Sequence, residues 1–225
     1  MPHPTPQDGL VHSYLFLRRA IGVLGLGLPV LLVVGNLVAG DGLRDSISGY
    51  YHSSVRDLLV GVMCAIGVFL LSYRGYDRVD DVVANIAAVA AIGLALFPVS
   101  PQHPVGDDSV IGIVHLSFAG IFFLSLAFFS IVLFRRGDDP RPSPRKAARD
   151  RVYLTCGVVM LVCLVLMPLS GWVLDPWLHA MRPVLWLETV AVLAFGVSWL
   201  TKGETILGDH GRVLRLSTED AAVTA

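Results

Sequence analysis

Four ionisable residues lie within or at the edge of long apolar stretches of the sequence: Arg56, Asp57, His115 and Glu188. Charged groups in such stretches normally face the interior of a helical bundle, where they pair with one another or with the backbone. An arginine can clamp an anion, and an imidazole oriented by a carboxylate can exchange protons because it titrates near neutral pH. These residue types therefore suit either the binding of a polar ligand or acid–base catalysis.

The composition is that of a membrane protein. Of the 225 residues, 54% are apolar and 16% are charged, whereas soluble domains average about 25% charged residues. The net charge of −1 excludes a general basic surface, so we expect no nucleic-acid partner. The three cysteines lie in apolar runs without a CxxC motif, so neither a disulfide nor a cysteine metal site is expected.

Six apolar segments have the length of about 17–25 residues that a membrane-spanning helix needs. They predict an all-α fold, a polytopic bundle of six transmembrane helices at 20–39, 57–73, 82–99, 110–134, 152–173 and 184–200. The expected domains are an N-terminal cytoplasmic segment (1–19), a transmembrane domain (20–200) and a cytoplasmic tail (201–225).

The N-terminal segment offers two interpretations. Residues 1–9 are rich in proline and are predicted to be disordered, whereas 10–19 form either a short interfacial helix or an extension of the first span. The first apolar run follows Arg18 and Arg19 and has full span length, so we expect it to act as an uncleaved anchor.

The distribution of lysine and arginine predicts the orientation. The N-terminal segment, the second and fourth loops and the tail hold 14 of these residues, and the other three loops hold 3. Cytoplasmic segments carry the excess of positive charge, so both termini are expected in the cytoplasm of a multi-pass cell-membrane protein, the inner membrane if the cell has two. Membrane lipids are its expected partners.

With this orientation, the ionisable residues share one layer near the outer face. Arg56 and Asp57 begin the second span, and His115 and Glu188 lie about five residues inside the fourth and sixth spans, roughly 8 Å below the helix ends. We therefore expect an outward-facing polar pocket that binds a lipid headgroup or a small polar ligand, with Arg56 as an anion clamp. Further expected ligand contacts near this layer are Asn36, Ser48, Tyr50 and Tyr51.

Two other interpretations of these residues remain open. In a structural one, Arg56 bridges Asp57 and Glu188 to hold helices in register, and His115 donates to a backbone carbonyl. In a catalytic one, His115, Glu188 and Asp57 serve a membrane-embedded lipid hydrolase or remodelling enzyme. No cofactor is otherwise expected, but the same three residues offer nitrogen and oxygen ligands to zinc in a metal-dependent version of that enzyme.

Three sequence elements carry a resemblance: SISGYY at 46–51, IVHLSFAGIFF at 113–123 and WLETVAVLAFGVSWL at 186–200. With them the chain resembles the six-span Frag/DRAM/Sfk-type proteins, which include GPI-lipid remodelling factors and autophagy modulators, and it is also similar to bacterial membrane families of unknown function. The resemblance implies that Ile47, Ser48, His115 and Glu188 are the matching positions.

Overall fold

The structure is a computed structural model that describes residues 6–101, 103–136, 143–173 and 181–207. Within these residues the predicted all-α fold is confirmed. The helices are α1 (Pro6–Val38), α2 (Arg56–Ser72), α3 (Arg78–Leu96), α4 (Asp108–Phe128), α5 (Pro144–Val173) and α6 (Pro183–Lys202), with a 3-10 helix at Ser48–His52 and a π-helical turn at Phe129–Leu133.

The six described helices form a ring in chain order. Each helix packs against its neighbours in the sequence, and α6 closes the ring by packing along α1. The most extensive contacts are those of α6 with α1 and α5 and those of α3 with α2 and α4. The ring therefore encloses an interior to which α1, α2, α3, α4 and α6 all contribute side chains.

Five of these helices are long and apolar enough to cross a membrane, namely α1, α3, α4, α5 and α6. The helix α2 has 17 residues, one fewer than the 18 that those five helices at least have, and lies at the lower end of the range of about 17–25 residues for a span. Large apolar side chains cover the outside of the ring; Leu116 is 64% exposed and Val165 is 65% exposed. Such exposure would promote aggregation in water but suits contact with lipid tails, so the helices indicate a multi-pass membrane protein.

Two helices begin earlier than the hydropathy pattern predicts. The helix α1 begins at Pro6, so the segment 10–19 extends the first span, and the prediction of disorder is wrong for residues 6–9. The helix α5 begins at Pro144 instead of near Val152. The Ser143 hydroxyl accepts the backbone N–H of Lys146 at 3.2 Å, and this N-terminal bond supports a first turn that hydropathy does not detect.

Glycines allow α1 and α6 to approach closely. A Cβ atom at Gly22 would lie 2.8 Å from the backbone nitrogen of Leu200, and one at Gly196 would lie 2.8 Å from that of Leu26. Small residues at such crossings let two membrane helices pack backbone against backbone. This contact fixes the position of α6, the helix that carries Glu188.

We expect Gly196→Ala to destabilise the protein by about 1–3 kcal/mol, because the added methyl group would meet the backbone nitrogen of Leu26 at 2.8 Å as well as its side chain, and the backbone cannot move aside easily. The matched control is Gly61→Ala in α2, where nothing lies within 4 Å of the added atom. Thermal unfolding in detergent would measure both changes. Equal unfolding midpoints for the two variants would contradict the close α1–α6 packing.

Candidate functional site

The Glu188 carboxylate is the best-connected polar group of the described bundle interior. Its Oε2 accepts the backbone N–H groups of Ile47, at short distance, and of Ser48, at 3.2 Å. Its Oε1 accepts the Ser48 hydroxyl at 3.1 Å. These three hydrogen bonds join the loop after α1 to α6.

The local structure of this loop explains why it needs an acceptor. A 3-10 helix begins at Ser48, and the first N–H groups of any helix lack partners inside the helix. Ile47, which precedes that helix and is 5% exposed, provides no side-chain cap. The Glu188 side chain, on α6, accepts hydrogen bonds from these amides. The amides can therefore be buried without losing their hydrogen bonds.

Other contacts hold the same loop over the end of the ring. Arg182, directly before α6, donates to the Leu43 carbonyl and lies 3.4 Å from the Asp45 carboxylate. His52 contacts the carbonyl oxygen of Val99, in the connection between α3 and α4, at 2.8 Å. The loop therefore bridges two sides of the ring and closes its interior at this end.

Asp41 and Ser54 tie the two ends of the loop together. The Ser54 hydroxyl and its backbone N–H both donate to the Asp41 carboxylate, and the backbone bond measures 3.3 Å. These hydrogen bonds favour the ionised form and lower the pKa of Asp41. The loop is thus a fixed structure with its own internal hydrogen bonds.

His115 lies on α4 with 4% of its surface exposed. Its Nδ1 lies 2.7 Å from the carbonyl oxygen of Phe97, the residue directly after α3. Because a carbonyl only accepts, Nδ1 carries the proton, and Nε2 of the neutral ring is left as an acceptor. This bond is the one that the structural interpretation of the sequence predicts for His115.

Ser48, His115 and Glu188 line one cavity inside the ring. The space that the centre of a water molecule can occupy is about 60 Å³, and the empty volume including the open mouth is about 500 Å³. A single water needs roughly 10–15 Å³ of such space, so the inner part holds a few heavy atoms. The remaining lining is apolar and comprises Leu28, Ile47, Leu59, Met63, Leu94, Ala119, Phe122, Phe123 and Val192.

The expected cluster of four ionisable groups is divided in the structure. Arg56 is exposed, donates from Nη2 to the Tyr51 hydroxyl at 2.9 Å and lies 4.5 Å above that ring. Asp57 is exposed beside it, and neither residue lines the cavity. Side chains in the first turn of a helix point toward its N-terminus, here away from the ring, and arginine extends readily to the surface. The predictions of a clamp by Arg56 and of its bridge to Glu188 are therefore wrong for this cavity.

The other predicted contacts stabilise the loop. Asn36 is fully buried and donates from Nδ2 to the Gly42 carbonyl at 2.5 Å, across the turn that follows α1. Tyr50 is fully buried within the core, and no partner for its hydroxyl occurs among the described residues. Of the eight predicted ligand contacts, the cavity lining contains three, Ser48, His115 and Glu188.

Sequence reasoning missed Arg182 and the backbone of Ile47. A backbone N–H leaves no mark in a sequence, but the position of Arg182 offers a weak signal. Arg182 directly precedes the proline that starts α6, and from there it reaches the Leu43 carbonyl.

A metal site is not supported in the described part of the chain. No group of three or more His, Cys, Asp or Glu residues there could hold a metal ion. The zinc alternative needs Asp57 beside His115 and Glu188, but Asp57 is exposed outside the cavity that the other two line.

Comparisons with family models, curated proteins and solved structures give no match for this chain. The resemblance to the Frag/DRAM/Sfk-type proteins therefore stays a prediction. The four positions that carry it, Ile47, Ser48, His115 and Glu188, all line the one cavity.

We expect Glu188→Ala to lower the free energy of unfolding by about 3 kcal/mol, because it leaves the amides of Ile47 and Ser48 buried without an acceptor. Ser48→Ala removes only the hydroxyl bond and should cost about 1–2 kcal/mol. Asp57→Asn, an exposed change outside the cavity, should stay within about 0.5 kcal/mol of the wild type. Denaturant titration of the purified proteins would rank the three, and a Glu188→Ala variant as stable as Asp57→Asn would contradict the assigned bonds.

Proposed function

We propose that this protein is a six-span integral membrane protein that binds the polar end of a lipid or of another small amphipathic molecule in the cavity beside Glu188. The observation that supports this most is an apolar cavity with hydrogen-bonding groups at Glu188, His115 and Ser48. Small-molecule sites commonly combine apolar walls with a few convergent polar groups.

The polar groups select the chemistry of the ligand. The Ser48 hydroxyl and the His115 Nδ1–H are already engaged as donors, whereas the Glu188 carboxylate and the His115 Nε2 can still accept. No arginine or lysine occurs among the described lining residues. The ligand should therefore donate hydrogen bonds through a hydroxyl or an amine, and an anionic group such as phosphate is disfavoured.

The size of the cavity sets a second limit. An inner space of about 60 Å³ accepts a group of a few heavy atoms, and the apolar walls suit a hydrocarbon chain behind it. This combination fits the hydroxyl end of a neutral lipid or an ethanolamine group better than a bulky sugar headgroup.

The sixth span and the orientation belong to the same proposal. The 17 residues of α2 reach the lower limit of about 17 residues for a span, and this helix occupies its own place in the ring between α1 and α3. The excess of lysine and arginine, 14 residues against 3, supports cytoplasmic termini in a cell membrane. The Glu188 cavity then lies near the outer face.

A membrane-embedded lipid hydrolase is the second candidate. The Ser48 hydroxyl lies 3.1 Å from a Glu188 oxygen, within the reach of a nucleophile and its base. The N–H of His115, however, is bound to Phe97 rather than directed at a reacting group, and the described lining offers no further side-chain donor for a developing negative charge. The geometry therefore supports binding better than catalysis.

We expect purified wild-type protein to bind a diacylglycerol and phosphatidylethanolamine more tightly than phosphatidic acid with the same acyl chains, because only the first two bring a donor without a free phosphate monoester. Native mass spectrometry in a mild detergent would measure the bound fractions. Ala119→Leu fills the cavity without touching the Glu188 bonds and should weaken binding about tenfold, or ~1.4 kcal/mol.

The matched control is Gly120→Ala, a neighbouring position on α4 with nothing within 4 Å of the added atom. It should bind as the wild type does. Equal binding of all three lipids, or unchanged binding by a folded Ala119→Leu variant, would contradict the proposed site.

A further inference from the structure

A second polar cavity lies at the other end of the bundle. Glu188 is in the second turn of α6, whereas Lys202 is the last residue of that helix and lines this second cavity. The cavity measures about 190 Å³ and is formed by the start of α5, the end of α6, the segment after α4, the connection between α2 and α3, and one turn of α1. Its described lining contains two carboxylates, Asp150 and Glu204, against five cations: Arg18, Arg136, Lys146, Arg149 and Lys202.

Arg18 is the unusual member of this set. Only 5% of its surface is exposed, yet none of the described carboxylates lies within ion-pair distance of its guanidinium. Its two hydrogen bonds, to the Lys202 carbonyl and the Tyr73 hydroxyl, are long at 3.5 Å, and its Nε has no partner in the described part of the chain. The guanidinium also lies over the rings of Tyr14, at 4.2 Å, and Tyr73, at 5.6 Å. Buried charges in membrane proteins are normally paired, so this environment suits an added anion.

Lys202 has the same deficit. Its ammonium group donates to the Phe134 carbonyl at 3.3 Å and lies 5.3 Å from the rings of Tyr76 and Phe134, with no ion pair to a described carboxylate. Arg136 provides the contrast, since it is paired with Asp77 at 2.9 Å. Arg18 and Lys202 thus have no ion-pair partner among the described residues.

We propose that this basic cavity binds a phosphate group, carried either by an anionic lipid or by a phosphorylated solute. The tetrahedral oxygens of phosphate can accept from the planar fork of Arg18 and from the ammonium groups of Lys146 and Lys202 at once. Basic pockets between the ends of membrane helices lie at the depth of lipid phosphates. This site is independent of the Glu188 cavity, which should disfavour such an anion.

Thermal unfolding of the full-length protein tests the proposal. In detergent, inorganic phosphate is compared with chloride at equal ionic strength; in nanodiscs, phosphatidylglycerol is compared with phosphatidylcholine. The variants are Arg18→Gln and Lys146→Gln. The matched control is Arg135→Gln, an exposed arginine at the same end that does not line the cavity.

We expect phosphate or phosphatidylglycerol to raise the unfolding midpoint of the wild type, with an apparent affinity about tenfold or more weaker in Arg18→Gln and Lys146→Gln and unchanged in Arg135→Gln. A response to inorganic phosphate would show that a soluble phosphate group is enough for binding. A response to phosphatidylglycerol alone would show that the ligand is an anionic lipid.

Absence of stabilisation by both phosphate and phosphatidylglycerol would overturn the proposal. An equal loss of response in Arg135→Gln would also overturn it, because general electrostatic attraction would then explain the effect. If Arg18→Gln does not fold, Lys146→Gln decides, and a full anion response in that variant contradicts the site.

Discussion

The bond network between one carboxylate and two backbone amides determines the architecture around the Glu188 cavity. A carboxylate within a membrane helix is costly unless donors surround it, and buried amides at the start of a short helix are costly unless an acceptor reaches them. Glu188 and the amides of Ile47 and Ser48 satisfy each other, since all three groups meet in one place. The loop after α1 is thereby fixed across the end of the ring, and the cavity acquires its polar end.

The two cavities of the bundle present opposite chemistry. Near the start of α6, Glu188 and His115 offer acceptors in a largely apolar space. Near the end of the same helix, Arg18 and Lys202 offer cations without a carboxylate partner among the described residues. A ligand that donates hydrogen bonds suits the Glu188 cavity, and a phosphate suits the basic cavity. The two cavities should therefore bind chemically different groups.

Hydropathy was sufficient to predict the helical fold and most helix positions, because a span must bury its backbone polar groups in one continuous apolar run. Counting depth along the helices also predicted that His115 and Glu188 share a layer, and the structure brings them to one cavity. Counting depth gave the wrong result for Arg56 and Asp57, because depth does not specify on which side of a helix, or toward which end, a side chain points.

Other features depend on contacts that a linear pattern does not contain. Arg18 counts in the sequence as a charge that sets orientation, but the fold buries it against Tyr14, whose ring lies 4.2 Å from the guanidinium. The role of Arg182 likewise follows from where the loop residues Leu43 and Asp45 come to lie. Tertiary packing assigns both roles, and charge counting alone does not reveal them.

Amide hydrogen exchange at Ile47 and Ser48 tests the central interaction most directly. Both amides should be protected in the wild type and should exchange at least about tenfold faster in Glu188→Ala, because each loses its acceptor. The Gly49 amide, which donates to the Ser46 hydroxyl at 2.8 Å, is the reference within the same loop. Amides of Ile47 and Ser48 that exchange in the wild type as fast as exposed ones, or that do not respond to loss of Glu188 relative to Gly49, would contradict the account.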